Sequence, residues 1–222
     1  MKKTDSCALR GFLVQCAVGI VAGFLNLLLC SAAIALKVPL FMDTLFTVTA
    51  SCFGWTAGIV AAISSHVIPL AAYRYTAPNL IFFFCSLTMV AGVRLMLFRK
   101  GAAESGGSRP LRLLILGIVL AFVISFEGGL FYYALIDITK SISGNQAISM
   151  LIYTLVTQNV PILISATLAR FPVNLVDKTI AVFGGYGIFL LLQKAMFQQK
   201  SQNQTQPENP AAHDKYPEWG GV

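Results

Sequence analysis

Charge is scarce in this sequence, and its scarcity excludes more than any other feature. Only 11% of the 222 residues are charged, and just nine are acids, against about 25% charged in an ordinary soluble domain. Histidine occurs twice. The five cysteines (Cys7, Cys16, Cys30, Cys52, Cys85) fall mostly inside apolar runs with no C-x-x-C pair, which argues against a zinc cluster or a disulfide framework. No Walker A pattern is present, so the chain is expected to have no ATPase site of its own. H-E-x-x-H and G-x-S-x-G are also missing, and no nucleophile stands beside an orienting partner, so no enzymatic activity is expected. No cofactor or metal signature is found, and no strict internal repeat.

Hydrocarbon is abundant instead. Apolar residues make up 56% of the chain, and the mean hydropathy is +0.73. Long apolar runs cover Gly11–Leu36, Trp55–Ala72, Asn79–Phe98, Leu111–Ile136, Ala147–Ala169 and Thr179–Phe197. Each approaches or exceeds the roughly 20 residues that cross about 30 Å of hydrocarbon. The run Leu40–Phe53 is shorter and reads as a tilted half-length helix or a re-entrant piece. The composition therefore predicts an all-α integral membrane protein, a compact bundle of six or seven transmembrane helices with one of them short. Residues 1–10 form a cytoplasmic N-terminus, 11–197 the bundle, and 198–222 a polar, proline-broken tail expected to be disordered. The first run is too long for a signal-peptide core of about 7–15 residues and is expected to be retained.

The net charge of +7 lies in short connections, which argues for orientation in a bilayer and against nucleic acid. Lys2, Lys3 and Arg10 form one basic cluster, and Arg99, Lys100, Arg109 and Arg112 form a second. The positive-inside rule puts both in the cytoplasm of a bacterial cell, with the plasma membrane as the location. Lys37–Phe41, Tyr73–Pro78 and Asp137–Gln146 then face outward. Two full spans after residue 146 leave the tail outside; a broken segment around Pro161 returns it inside. Both counts stay open.

The polar groups inside apolar runs are the candidate sites, because a lone carboxylate in hydrocarbon costs several kcal/mol unless it is paired or wet. Asp43, Thr47 and Ser51 fall at i, i+4 and i+8, with Thr44 beside them. Asp43 either caps the short helix or serves a ligand, and the two roles are compatible. Glu127 stands before Gly128 and Gly129, with Tyr132 and Tyr133 following; it is expected to line a cavity. The tyrosines also fit an interfacial belt. Gly54 and Gly58 form a G-x-x-x-G expected to pack inside the bundle, while Gly19 and Gly23 form a second that fits internal packing or a partner interface. His66 is expected to be a hydrogen-bonded interior group, and Arg94 to reach the cytoplasmic surface. Between Arg170 and Lys178, Asn174 or Asp177 fits a cap for the final helix, with the Asp177–Lys178 charges read as an exposed pair.

The stretch Pro39-Leu-Phe-Met-Asp43-Thr44-Leu-Phe-Thr47, followed by Gly54 and Gly58, resembles the P-x-x-(L/M)-D-(S/T)-x-x-T … G-x-x-x-G region of the substrate-binding S components of energy-coupling factor (ECF) transporters. Val173-Asn174-Leu-Val-Asp177-Lys178-Thr-Ile is similar to the N-x-x-D-K segment many of them carry. The likeness spans about residues 10 to 197 and departs from the six-helix pattern at the extra apolar segment 147–170. The membrane domains of LytS-type sensor kinases share the first motif. The resemblance implies an importer subunit that captures a vitamin-like small molecule at the outer face. It would deliver that molecule with a transmembrane coupling subunit and an ATPase pair. It further implies a substrate site of Asp43, Thr44, Thr47, Asn79, Glu127, Tyr132, Tyr133 and Asn174, and a partner-docking face at Gly19 and Gly23. The alternatives are a membrane sensor or accessory protein without transport, and a stand-alone carrier.

Overall fold

The computed structural model describes residues 2–72, 77–98, 108–139 and 146–205. Every element among them is helical: α1 (Lys2–Ala35), α2 (Leu45–Phe53), α3 (Trp55–Ala71), a 3-10 helix (Ala77–Phe82), α4 (Phe83–Leu97), α5 (Arg109–Thr139), α6 (Gln146–Thr157) and α7 (Ile162–Thr205). Four of them contain stretches long and apolar enough to cross a membrane: Leu9–Ala35, Ala77–Leu97, Arg109–Ile136 and Ile162–Gln198. The chain is a multi-pass helical membrane protein by this criterion. It divides into two units, Met1–Phe189, which holds the bundle, and Leu190–Val222. Arg99, Lys100 and residues 206–222 of the expected tail lie outside the described residues, whereas 198–205 continue α7.

Side-chain pairings fix how the helices run. Asn26 of α1 meets Phe46 and Thr47 at the start of α2, while Gln15 meets Gly54 at its end, so α2 returns antiparallel to α1. Gly19 packs on Ala57 and Val60, and Gly23 on Ser64 and Ser65, so α3 runs parallel to α1. His66 pairs with Ser86 and Gly58 faces Val90, which makes α4 antiparallel to α3. Thr88 meets Glu127, and Gly92 meets Leu116 and Leu120, so α5 reverses again. Finally, Gly117 faces Thr179 and Gly129 faces Thr167, so α7 is antiparallel to α5. The bundle thus has a basic end, with Arg94 and Arg109, and a far end holding residues 36–44, the 3-10 helix and α6.

Local chemistry explains the breaks. At the end of α1, Lys37 takes a left-handed φ of 54°, and Val38 N–H returns to Ala33 C=O at 2.9 Å. After α6, Asn159 does the same with φ 62°, and Val160 N–H bonds Leu155 C=O at 3.2 Å. Both are Schellman closures, which satisfy the last carbonyls of a helix and turn the chain sharply. Gly54 separates α2 from α3, and a Cβ there would lie 2.6 Å from Gln15 Oε1 of α1, a contact the Gln15 side chain would have to move to relieve. Arg94 donates from Nη1 to Ser51 C=O at 3.3 Å, meeting a carbonyl in the last turn of α2, and stacks over Phe98 at 4.9 Å. It turns into the bundle instead of only reaching its surface.

The structure corrects the expected segmentation. The apolar run Leu40–Phe53 is helical only from Leu45, and residues 40–44 are non-helical strap. The expected spans 147–169 and 179–197 are not two helices separated near residue 170. The break falls at 158–161, and α7 passes through Pro172 without stopping. Proline removes one backbone donor, but in apolar helices its freed carbonyl is readily re-satisfied; here the ring faces outward. The core around Met89, Val93, Leu116, Leu120 and Val182 fills the basic half of the bundle. A smaller cluster of Tyr132, Ile148, Ile152, Ala166 and Ala169 holds α6 to the far end.

Candidate functional site

Asp43 lies in the strap before α2, not on the helix, so the expected Asp43–Thr47–Ser51 stripe does not form. The residue at the N-cap position is Thr44, and it makes no side-chain cap bond. Asp43 turns instead toward α7. Lys178 Nζ donates to Asp43 Oδ1 at 3.1 Å and to Thr44 Oγ1 at 3.1 Å, and it pairs with Asp177 Oδ2 at 2.8 Å. An ammonium has three protons, and here three acceptors surround it. Asp177 Oδ1 accepts the backbone N–H of Met42 at 2.8 Å, where the chain takes a left-handed φ of 50°. Strap and helix are therefore joined by two acids sharing one base.

Asp177 and Lys178 are 1% and 2% exposed, so the expected exposed pair is a buried one. Neither Asn174 nor Asp177 caps a helix, since both sit inside α7. Arg170, Asn174 and Asp177 follow at i, i+4 and i+7, which places them on one face of that helix. The spacing was readable in the sequence, but the expectation that Asn174 or Asp177 caps the final helix placed these residues outside it.

Around this cluster lies a layer of polar side chains shut inside the bundle. Arg170 is 7% exposed; its guanidinium lies 4.5 Å from the Tyr132 ring centre, and Nη1 donates to Ala166 C=O at 3.3 Å. Asn174, 1% exposed, donates from Nδ2 to Ser125 Oγ at 3.0 Å. His66 Nε2 bonds Ser86 Oγ at 3.0 Å, as expected of an interior group. Glu127 Oε1 accepts from Thr88 Oγ1 at 3.0 Å.

Among the residues expected to bind substrate, the structure brings Asp43, Thr44, Glu127, Tyr132 and Asn174 into this layer. Three others stand apart. Thr47 is fully buried against α1, where its hydroxyl accepts from Asn26 Nδ2 at 2.9 Å. Tyr133 is 51% exposed on the outer surface of α5. Asn79 is half-buried in the 3-10 helix, with no hydrogen bond to the layer.

Gly19 and Gly23 do not form a free docking face. A Cβ on Gly19 would lie 2.6 Å from Val60 Cβ, and one on Gly23 would overlap Ser64, so both glycines hold α1 on α3. Asn26 supports the same contact and was not foreseen. It is 1% exposed, and its Oδ1 accepts Phe46 N–H at 2.9 Å. Its signal was a polar residue deep in the first apolar run.

No protein-family model, curated protein or solved structure matches this chain.

Proposed function

We propose that the protein is the membrane-embedded, substrate-binding subunit of an ECF-type importer. It would capture a vitamin-like small molecule at the outer face and hand it inward with a coupling subunit and two ATPases. The observation that carries the reading is the layer of buried Asp177, Lys178, Arg170 and Asn174 with half-buried Asp43 and Glu127, toward the far end of a largely apolar bundle. Fixed charges in hydrocarbon are costly and mark binding or conduction paths in membrane proteins.

The run of the helices supports the orientation. With the basic end cytoplasmic, α1, the strap with α2, α3, the 3-10 helix with α4, α5 and α7 make six crossings. α6, with 12 residues, is too short to cross and rests at the outer end. Up to Phe189, α7 then runs from the outer end toward the cytoplasmic end. In this arrangement Gly19 and Gly23 serve the bundle, so a coupling subunit must dock elsewhere.

The test is copurification and uptake. Tagged protein drawn from its native membrane in mild detergent should bring down a transmembrane coupling subunit and two ATPases. ATP-dependent uptake should then be reconstituted in vesicles. A protein that purifies alone, in cells whose uptake is unaffected by its deletion, points to the sensor reading instead.

A further inference from the structure

The layer holds carboxylate and amide oxygens that its hydrogen bonds leave unmatched. Asp43 and Asp177 share Lys178, whereas Glu127 has no described cation beside it. Its Oε1 takes the Thr88 hydroxyl, and its Oε2 is shut from solvent without a donor. Asn174 repeats the pattern. The Ser125 hydroxyl proton goes to Ala121 C=O at 2.6 Å, so Ser125 must accept from the Asn174 amide. That orients the amide and leaves Asn174 Oδ1, an acceptor on a residue 1% exposed, unpartnered. Among the described residues of the layer, the three acids Asp43, Asp177 and Glu127 stand against the two bases Lys178 and Arg170. One turn from Glu127, on the same face of α5, Phe131 sits 6.1 Å from Phe82 and 6.1 Å from Phe84.

We infer that the ligand is a cation, a flat aromatic or heteroaromatic molecule whose positively charged nitrogen and N–H donors fill the unmatched oxygens of Glu127 and Asn174. A desolvated carboxylate stays ionised when an opposite charge is brought to it. A delocalised cation also gains from aromatic faces. An anionic ligand would add to the surplus negative charge and leave both acceptors empty. The inference rests on the ligand-binding reading above and sharpens it to a chemical class.

Three matched flat probes test it: 4-aminoquinolinium, which carries N–H donors, 1-methylnaphthalene and 1-naphthoate, with one positive, no and one negative charge. Binding is measured by calorimetry to the full chain in nanodiscs of zwitterionic phosphatidylcholine, so that lipid charge does not select the cation. The expected order is cation, then neutral, then anion. Glu127→Gln keeps the Thr88 contact and should weaken the cation about ten- to hundredfold, abolishing the order. Glu127→Asp, which keeps the charge, should retain a preference for the cation. An anion preference, absence of saturable cation binding, or a charge order that survives Glu127→Gln overturns the inference. Copurification of coupling subunits is scored separately. If they copurify and an uncharged or anionic molecule is taken up, the importer reading stands and the cation class falls. If the cation binds through Glu127 but no coupling subunit appears, the class stands and the importer role falls.

Discussion

Replacing Lys178 with methionine removes the only base that pairs with Asp43 and Asp177 among the described residues, while nearly conserving volume. Lys178 Nζ meets Asp43 and Thr44 at 3.1 Å each and Asp177 at 2.8 Å. Asp43 is the lesser problem, because its side chain is 36% exposed and can recover some hydration. Asp177, with its side chain 1% exposed, cannot; it keeps only the Met42 N–H at 2.8 Å. Breaking a buried ion pair from one side costs about 3–5 kcal/mol. Protonation offers an escape that limits the loss, since neutralising an ordinary aspartate at pH 7 costs about 4 kcal/mol. Lys178→Met should therefore lower stability by about 3–4 kcal/mol. Adding Asp177→Asn should recover most of that, because the amide still accepts the Met42 N–H and carries no charge. The assay is a double-mutant cycle on reversible unfolding in detergent micelles, with proteolysis of the 36–44 strap as a local readout. Refutation would be a Lys178→Met loss below about 1 kcal/mol, or no recovery in the double variant; either would mean that water or lipid headgroups already solvate the site.

Three further outcomes follow from the packing. Asn26→Leu removes the acceptor for Phe46 N–H and the donor to Thr47; unfolding should show a loss of about 1–3 kcal/mol, the cost of orphaned buried groups. Gly23→Leu would drive a side chain into Ser64, so the protein should fail to accumulate or melt far lower, and ligand binding should disappear along with any complex. Gly187 has no atom within 4 Å of a would-be Cβ, and Gly187→Ala should raise stability by about 0.5–1 kcal/mol in thermal melts, because helical glycine gives up more backbone freedom than alanine.

The sequence by itself determined the class of the molecule. Apolar runs near membrane length permit little besides helices, because an unpaired backbone group in hydrocarbon is prohibitive. It also marked Asp43, Glu127 and His66 as inward polar groups, since a lone polar residue in such a run has few places to go. What it left undecided depended on partners distant along the chain. Asp43 read equally as a cap or a site residue; only the return of α7 to the strap, 135 residues later, gave it Lys178. Gly19 and Gly23 had the same small-residue spacing whether they faced a partner or α3, because spacing records that a backbone comes close but not which one. Asn174 and Asp177 read as caps for a helix starting near Thr179, whereas α7 begins at Ile162 and carries Arg170, Asn174, Asp177 and Lys178 in its interior. Tertiary structure decided these points because charge pairing and helix contact are settled between elements, where local propensity carries no information.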